Sequence, residues 1–234
     1  MHVSTYRKLP EINCSMSVLE YTIDHVILLS ATVLKLYIIP ASDDFIVYEF
    51  GQYCKLEGID GRFRDFSIVN SMDAQKGIEL HIRISSKNQD MLKDFIPGKK
   101  VNVTGPFGHT HFFEECCATI FIAEGIGLAA FNQIMCSAKS PTLPILLVWS
   151  ARENDENYLS FFNEQWLLQN HCLSIESVVQ DNKMIVDKLL NFTHPLKRVR
   201  CYFAGSPDLK NHIMTHYVNV INTFADKVIF YDNL

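Results

Sequence analysis

The sequence predicts a β-barrel followed by an α/β domain, and three observations carry that expectation. Up to about residue 114, short runs of alternating or β-branched apolar residues are separated by turn signals. From about residue 115, strand-like runs alternate with helix-like ones. The first run of the second part, "FIAEGIGLAAF" (121–131), leads from an apolar strand through two glycines into an apolar helix-like stretch.

In the first part, "EYTIDHVILLSATVLKLYIIP" (20–40) reads as two adjacent strands. "ELHIRIS" (79–85) alternates, with Leu80, Ile82 and Ile84 on one face and Glu79, His81 and Arg83 on the other. "KKVNVTG" (99–105) places Val101 and Val103 together. Turns are marked by "PASDD", "GIDG", "PGKK" and "GPFG". Such spacing suggests an antiparallel barrel or sandwich. In the second part the strands are expected at 118–123, 144–149, 173–179, 199–204 and 227–231. One helical stripe is Leu128, Phe131, Ile134, Met135 and Ala138, and three further helices fall at 157–170, 184–192 and 208–222. Five strands alternating with four helices imply a parallel, doubly wound sheet.

The 234 residues, 48% apolar, suffice to bury a sizeable core. A net charge of −5 with interspersed signs argues against a nucleic-acid partner. The N-terminal stretch has no apolar core of a secretory signal, and the most hydrophobic segment, Val26 to Pro40, is too short to span a bilayer and contains Lys35. Seven cysteines without a CxxC pair fit reduced thiols in the cytoplasm and argue against a plant-type iron–sulfur cluster. The adjacent Cys116 and Cys117 read as small residues at a domain junction.

Ligands of open α/β sheets sit at the carboxyl ends of the strands, so three strand ends matter. After the first, Gly125-Ile126-Gly127-Leu128-Ala129-Ala130 matches G-x-G-x-x-A, where glycines admit a pyrophosphate and free helix N–H groups receive it. The competing reading is a glycine turn used for close packing. After the second come Ser150 and Arg152, a hydroxyl and a guanidinium suited to a 2′-phosphate, in place of the acidic residue of a conventional NAD site. After the third, Gly205 permits a sharp turn, Ser206 suits an N-cap, Pro207 the first helical position and Asp208 the first turn. In the barrel region, Arg64, Phe66 and Ser67 combine a cation, an aromatic ring and a hydroxyl. His109 and His111 read as a surface loop; no metal site is expected.

Together, "FGQY" (50–53), "RDFSIVN" (64–70), "KGIELHI" (76–82), "PGKKVNVTGPFG" (97–108), "FIAEGIG" (121–127), "VWSAR" (148–152) and "YFAGSPDLK" (202–210) resemble the ferredoxin–NADP⁺ reductase superfamily, with bacterial stand-alone NAD(P)H–flavin oxidoreductases nearest in pattern. The resemblance covers residues 14 to 234. It implies an N-terminal extension (1–13), a six-stranded antiparallel Greek-key β-barrel that binds flavin (14–114) and a five-stranded parallel NAD(P)-binding domain (115–234). It further implies that Arg64 contacts flavin phosphate, Phe66 lies against the isoalloxazine, and Ser67, the catalytic position, hydrogen-bonds near the flavin N5. Ile68 and the His81-Ile82-Arg83 strand would line the flavin's pyrimidine end or phosphate. Gly125, Ile126, Gly127 and Leu128 would hold NADPH or NADH, with Ser150 and Arg152 near the adenosine end and Gly205, Ser206 and Asp208 by the nicotinamide. The implied reaction is hydride transfer from NAD(P)H to flavin. The acceptor would be free flavin or a protein such as an oxygenase component.

The sequence departs from that pattern at three places. Gln89 stands where FAD-dependent members often carry a small hydroxyl residue, which favours FMN, riboflavin or a loosely held flavin over tightly bound FAD. Ala204-Gly205 replaces the frequent Cys-Gly. Glu124-Gly125-Ile126-Gly127 replaces a loop close to G-G-T-G. A carboxylate about 4–6 Å from a pyrophosphate would cost on the order of 1–4 kcal/mol. The alternative expectation is therefore a binding or interaction module whose nucleotide affinity Glu124 has weakened.

Overall fold

The computed structural model describes residues 17–58, 60–86, 89–108, 117–137, 143–151, 155–169, 171–179, 181–222 and 228–232. Its first half is a six-stranded antiparallel barrel. β1 (Val18–Ser30) and β2 (Val33–Pro40) are the expected adjacent strands, paired from Tyr21 opposite Pro40 to Ser30 opposite Val33. β3 (Tyr53–Glu57), β4 (Phe63–Ser67), β5 (Ile78–Arg83) and β6 (Lys100–Phe107) complete the order β4-β3-β6-β1-β2-β5. The two ends of that order meet at a seam. Ile68 bridges Leu80, and the Val69 N–H donates to the Glu79 carbonyl at 2.9 Å. The barrel interior is filled by Tyr21, Ile23, Leu36, Ile38, Leu56, Ile68, Ile78, Leu80 and Val103, all buried. A short helix, α1 (Gln89–Leu92), lies between β5 and β6.

The second half is a five-stranded parallel sheet, as the alternation of patterns predicts. β7 (Ala118–Glu124), β8 (Ile145–Ala151), β9 (Leu173–Val179), β10 (Val199–Ala204) and β11 (Val228–Asp232) run in the order β11-β10-β7-β8-β9. The chain steps outward from β7 to β8 and β9, then returns to place β10 on the other side of β7. The carboxyl ends of β7 and β10 are thus the switch point where ligands of such sheets lodge.

The helices are α2 (Asn132–Ser137), α3 (Glu156–Gln169), α4 (Asn182–Thr193), α5 (Pro207–Ile213) and α6 (Asn219–Asn222). Two details depart from the sequence pattern. Gly125–Phe131 is wound as a 3₁₀ helix before α2 begins, where the apolar stripe suggests one continuous α-helix. Leu128, Ala129, Ala130 and Phe131 are all buried in this stretch, while Ile126 and Gly127 face the cleft described below. Between α5 and α6, Met214–Val218 forms a π-helical turn that carries Tyr217 into the core, where its hydroxyl meets Thr193 Oγ1 at 2.5 Å.

One apolar cluster spans both halves. Val33 and Val69 of the barrel pack with Phe121, Leu128, Phe131, Trp149, Tyr158 and Trp166 of the α/β unit. Polar contacts cross the same boundary. Asn132 Nδ2 donates to the Val69 carbonyl at 3.0 Å, and Gln133 Nε2 to the Ile68 carbonyl at 3.0 Å and to the Asn70 carbonyl. The expected domain boundary near residue 114 lies outside the described residues, as do Cys116, His109 and His111. Among the described residues, no helix is long and apolar enough to cross a membrane.

Candidate functional site

Strand β7 ends at Glu124, and the chain must then leave the sheet between β8 and β10. Gly125 makes that turn at φ +54°, in the left-handed region that glycine tolerates. The Trp149 indole N–H fixes its carbonyl at 2.9 Å. Gly127 comes so near β10 that a Cβ would stand 2.2 Å from the Ala204 carbonyl oxygen. Any side chain there displaces backbone, so the second glycine is required by close approach. This packing coexists with a cleft of about 400 Å³ lined by Ser67, Arg83, Glu124, Gly125, Ile126, Gly127, Ala204, Gly205 and Ser206. Ser67 and Arg83 come from the barrel; the other seven come from two strand ends of the parallel sheet.

Glu124 is half-buried in this cleft. Because Ala123 pairs with Ala204, the next residue of β7 faces the turn that follows β10. The Ser206 N–H donates to Glu124 Oε2 at 2.7 Å. Ser206 also caps α5, its hydroxyl accepting the Leu209 N–H at 3.3 Å, with Pro207 just inside the helix and Asp208 exposed in the first turn. Gly205 gives the carboxylate room: a Cβ there would lie 3.0 Å from Glu124 Cβ and 3.3 Å from its Oε2.

Arg83 reaches the cleft from the end of β5. Its Nη2 donates to Asp155 Oδ2 at 2.6 Å, and Asp155 is fully buried. Thr32 Oγ1 donates to the other Asp155 oxygen. Arg83 also lies across the glycine turn, since a Cβ on Gly125 would stand 2.6 Å from Nη2. The pair is a fork between the two halves: the barrel supplies the cation, the segment after β8 supplies the anion. Nothing in the sequence marks Asp155, which sits 72 residues from its partner.

The remaining expected residues distribute as follows. Arg64 lies on β4 outside the cleft lining, its fork closed on Asp60 at 2.9 and 2.7 Å. That hydrogen-bonded pair drives the Asp60 carboxyl down to about 2. Phe66 is half-buried and packs on the barrel core. Ile68 and Ile82 lie inside that core, and both backbone groups of Ile68 are engaged, its N–H with the Gln52 carbonyl at 3.1 Å and its carbonyl with Gln133. Leu128 is in the shared cluster. Ser150 is buried at the end of β8, opposite Glu124 in the sheet register. Arg152 lies outside the described residues.

His81 is buried where the barrel meets α3. Nδ1 lies 2.6 Å from the Tyr158 hydroxyl and Nε2 2.8 Å from Glu79 Oε1, with Phe161 and Phe162 against the ring. Burial lowers the imidazole below the ordinary histidine range, partly offset by Glu79. Burial also raises the Glu79 carboxyl, but hydrogen bonds from His81 and Lys35 outweigh it and hold the group below its usual range. A neutral ring beside an ionised carboxylate donates from Nε2, which leaves Nδ1 to accept the Tyr158 O–H. His81 thus joins the two halves.

The residues fit a flavin ring and a pyridine nucleotide at the level of the cleft. Ser67 of the barrel lines the cleft together with the glycine turn and the turn at Gly205 and Ser206. The fit of a flavin phosphate at Arg64 is poorer, because Asp60 already occupies the fork. Among the described residues, no group of three or more histidine, cysteine or acidic side chains is placed to hold a metal.

The barrel, the parallel sheet and their junction have the fold of the ferredoxin-reductase superfamily. The ferredoxin reductase in carbazole 1,9a-dioxygenase superposes with a TM-score of 0.70 at 17% identity, over 95% of this chain and 71% of that one. Ferredoxin–NADP⁺ reductase from Plasmodium falciparum gives 0.71 at 17% identity, over 92% of this chain and 96% of that one. In sequence, reductase component 2 of terephthalate 1,2-dioxygenase from Comamonas sp is 25% identical over 124 residues. That match covers 51% of this chain and only 37% of the relative. No protein-family model matches the sequence.

Proposed function

We propose that this chain is an oxidoreductase that passes a hydride from NADH or NADPH to a flavin, acting as a flavin reductase or as the reductase of a protein acceptor such as an oxygenase component. One observation carries the reading: Ser67 of the barrel and the turns at 125–127 and 205–206 line the same cleft. A flavin resting at Ser67 and a nicotinamide entering over Gly205 would meet there. The flavin, when bound, supplies the hydride acceptor. The protein supplies alignment and exclusion of water, which account for much of the acceleration in such transfers. The fold shared with reductases, and the partial sequence match to a dioxygenase reductase component, support a redox role.

The test is steady-state oxidation of NADH and NADPH by the full chain, with and without added FMN, riboflavin or FAD. Turnover stimulated by flavin is expected. Absence of turnover with either nucleotide at millimolar concentration, with flavin present, would refute the proposal. It would leave the second reading, a binding module with degraded nucleotide affinity. That reading is motivated by Glu124, whose carboxylate consumes the Ser206 N–H that a ligand would otherwise use.

A further inference from the structure

The described lining of the cleft holds one cation and one anion, and they attach to different parts of it. Arg83 lies across the Gly125 turn with its charge already matched by the buried Asp155. Glu124 points instead toward the carboxyl end of β10, held by the Ser206 N–H at 2.7 Å and packed over Gly205. A pyridine dinucleotide carries its fixed negative charge on the pyrophosphate. Its nicotinamide ring is cationic when oxidised and neutral when reduced. A nicotinamide that enters over Gly205, as in the function proposed above, comes to rest beside Glu124.

We propose that Glu124 makes the site selective for redox state, binding the oxidised nucleotide more tightly than the reduced one through its carboxylate beside the cationic ring. This rests on the function proposed above and names the residue that discriminates between that reaction's substrate and product. A unit charge pair about 5 Å apart in a half-exposed cleft is worth about tenfold in affinity. The reduced ring gains nothing from it. The oxidised nucleotide then acts as a competitive inhibitor, and turnover follows the ratio of reduced to oxidised nucleotide. The hydrogen bond from Ser206 fixes the carboxylate before any ligand arrives, so its orientation is set in advance.

The experiment measures dissociation constants of NAD⁺, NADH, NADP⁺ and NADPH by titration calorimetry on the full chain and on Glu124→Gln. The amide oxygen of the variant still accepts the Ser206 N–H, so the loop is kept while the charge is removed. The expected result is about tenfold weaker binding of the oxidised form with the reduced form nearly unchanged, and recovery of the preference in Glu124→Asp. Equal tightening of both forms would show that the carboxylate acts on the pyrophosphate, and would overturn the inference while leaving the proposed function intact. An unchanged ratio does the same. Failure of the unaltered chain to bind either form overturns both. Should Glu124→Gln not fold, Glu124→Ala decides the matter: the oxidised form must lose about tenfold relative to the reduced one, and an unchanged ratio rejects the inference.

Discussion

Strands β4 and β5 face each other across the barrel seam, and each presents an arginine bound to an aspartate. Arg64 meets Asp60 at 2.7 Å and Arg83 meets Asp155 at 2.6 Å. The contact distances hardly differ, but the surroundings do. The Arg64 and Asp60 side chains are 32% and 39% exposed, whereas Arg83 is 18% exposed and Asp155 not at all. Arg64 shares a face with Phe66 and reaches from it to the half-exposed Asp60, whereas β5 turns its polar face to the α/β half. Ion-pair geometry alone therefore says little about what a pair contributes; the difference lies in what remains when one partner is removed.

The largest effect is expected from Asp155→Ala, which removes the carboxylate that holds a mostly buried guanidinium between the two halves. A loss of about 3 kcal/mol is expected, read from the shift in urea midpoint. An unchanged midpoint would erase the contrast between the two pairs. Next is Gln133→Ala, which deprives the buried Ile68 carbonyl and the half-buried Asn70 carbonyl of a donor on the same covered side. It should cost about 1–3 kcal/mol in the same titration.

A third test uses pH. His81 lies on the covered face of β5 and its folded-state value is depressed by burial, so the unfolded chain binds a proton first as pH falls. Stability contributed by the neutral ring is complete above the ordinary histidine range, near pH 6.5, and declines as pH drops toward the folded value. A denaturation series from pH 8 to 5 should show that decline, and His81→Phe should flatten it. The smallest effect belongs to the exposed pair. Asp60→Ala should leave the urea midpoint unchanged within error. It frees the Arg64 fork, and titration of FMN against riboflavin should then show a gain for the phosphorylated flavin alone.

Much of this arrangement is legible in the sequence. The expected strands at 173–179 and 199–204 coincide with β9 and β10, because short β-rich runs set between helical stripes leave little ambiguity. The alternation of "ELHIRIS" separates Leu80 and Ile82 from Glu79, His81 and Arg83. What it does not reveal is that the polar side is covered by α3 and Asp155, since periodicity identifies faces and not their neighbours. The same limit hides the partners of Glu124 and Gln133. A carboxylate inside a glycine turn is conspicuous, but its acceptance of an N–H 82 residues away follows only from the crossover that puts β10 beside β7. The 3₁₀ winding of Gly125–Phe131 is invisible for a related reason: the apolar stripe marks a helical face but does not distinguish a 3₁₀ turn from an α turn over so short a stretch.

The barrel seam bears on how the chain acquires its structure. Its closing carbonyls, at Ile68, Val69 and Asn70, are held by Asn132 and Gln133, which are made more than sixty residues later. During synthesis the first six strands emerge complete in sequence yet without the side chains that hold their closing edge. A barrel ending before α2 would keep the backbone contacts of its seam, Ile68 with Leu80 and Val69 with Glu79, but would leave the outward carbonyls of that edge without the donors that Asn132 and Gln133 supply.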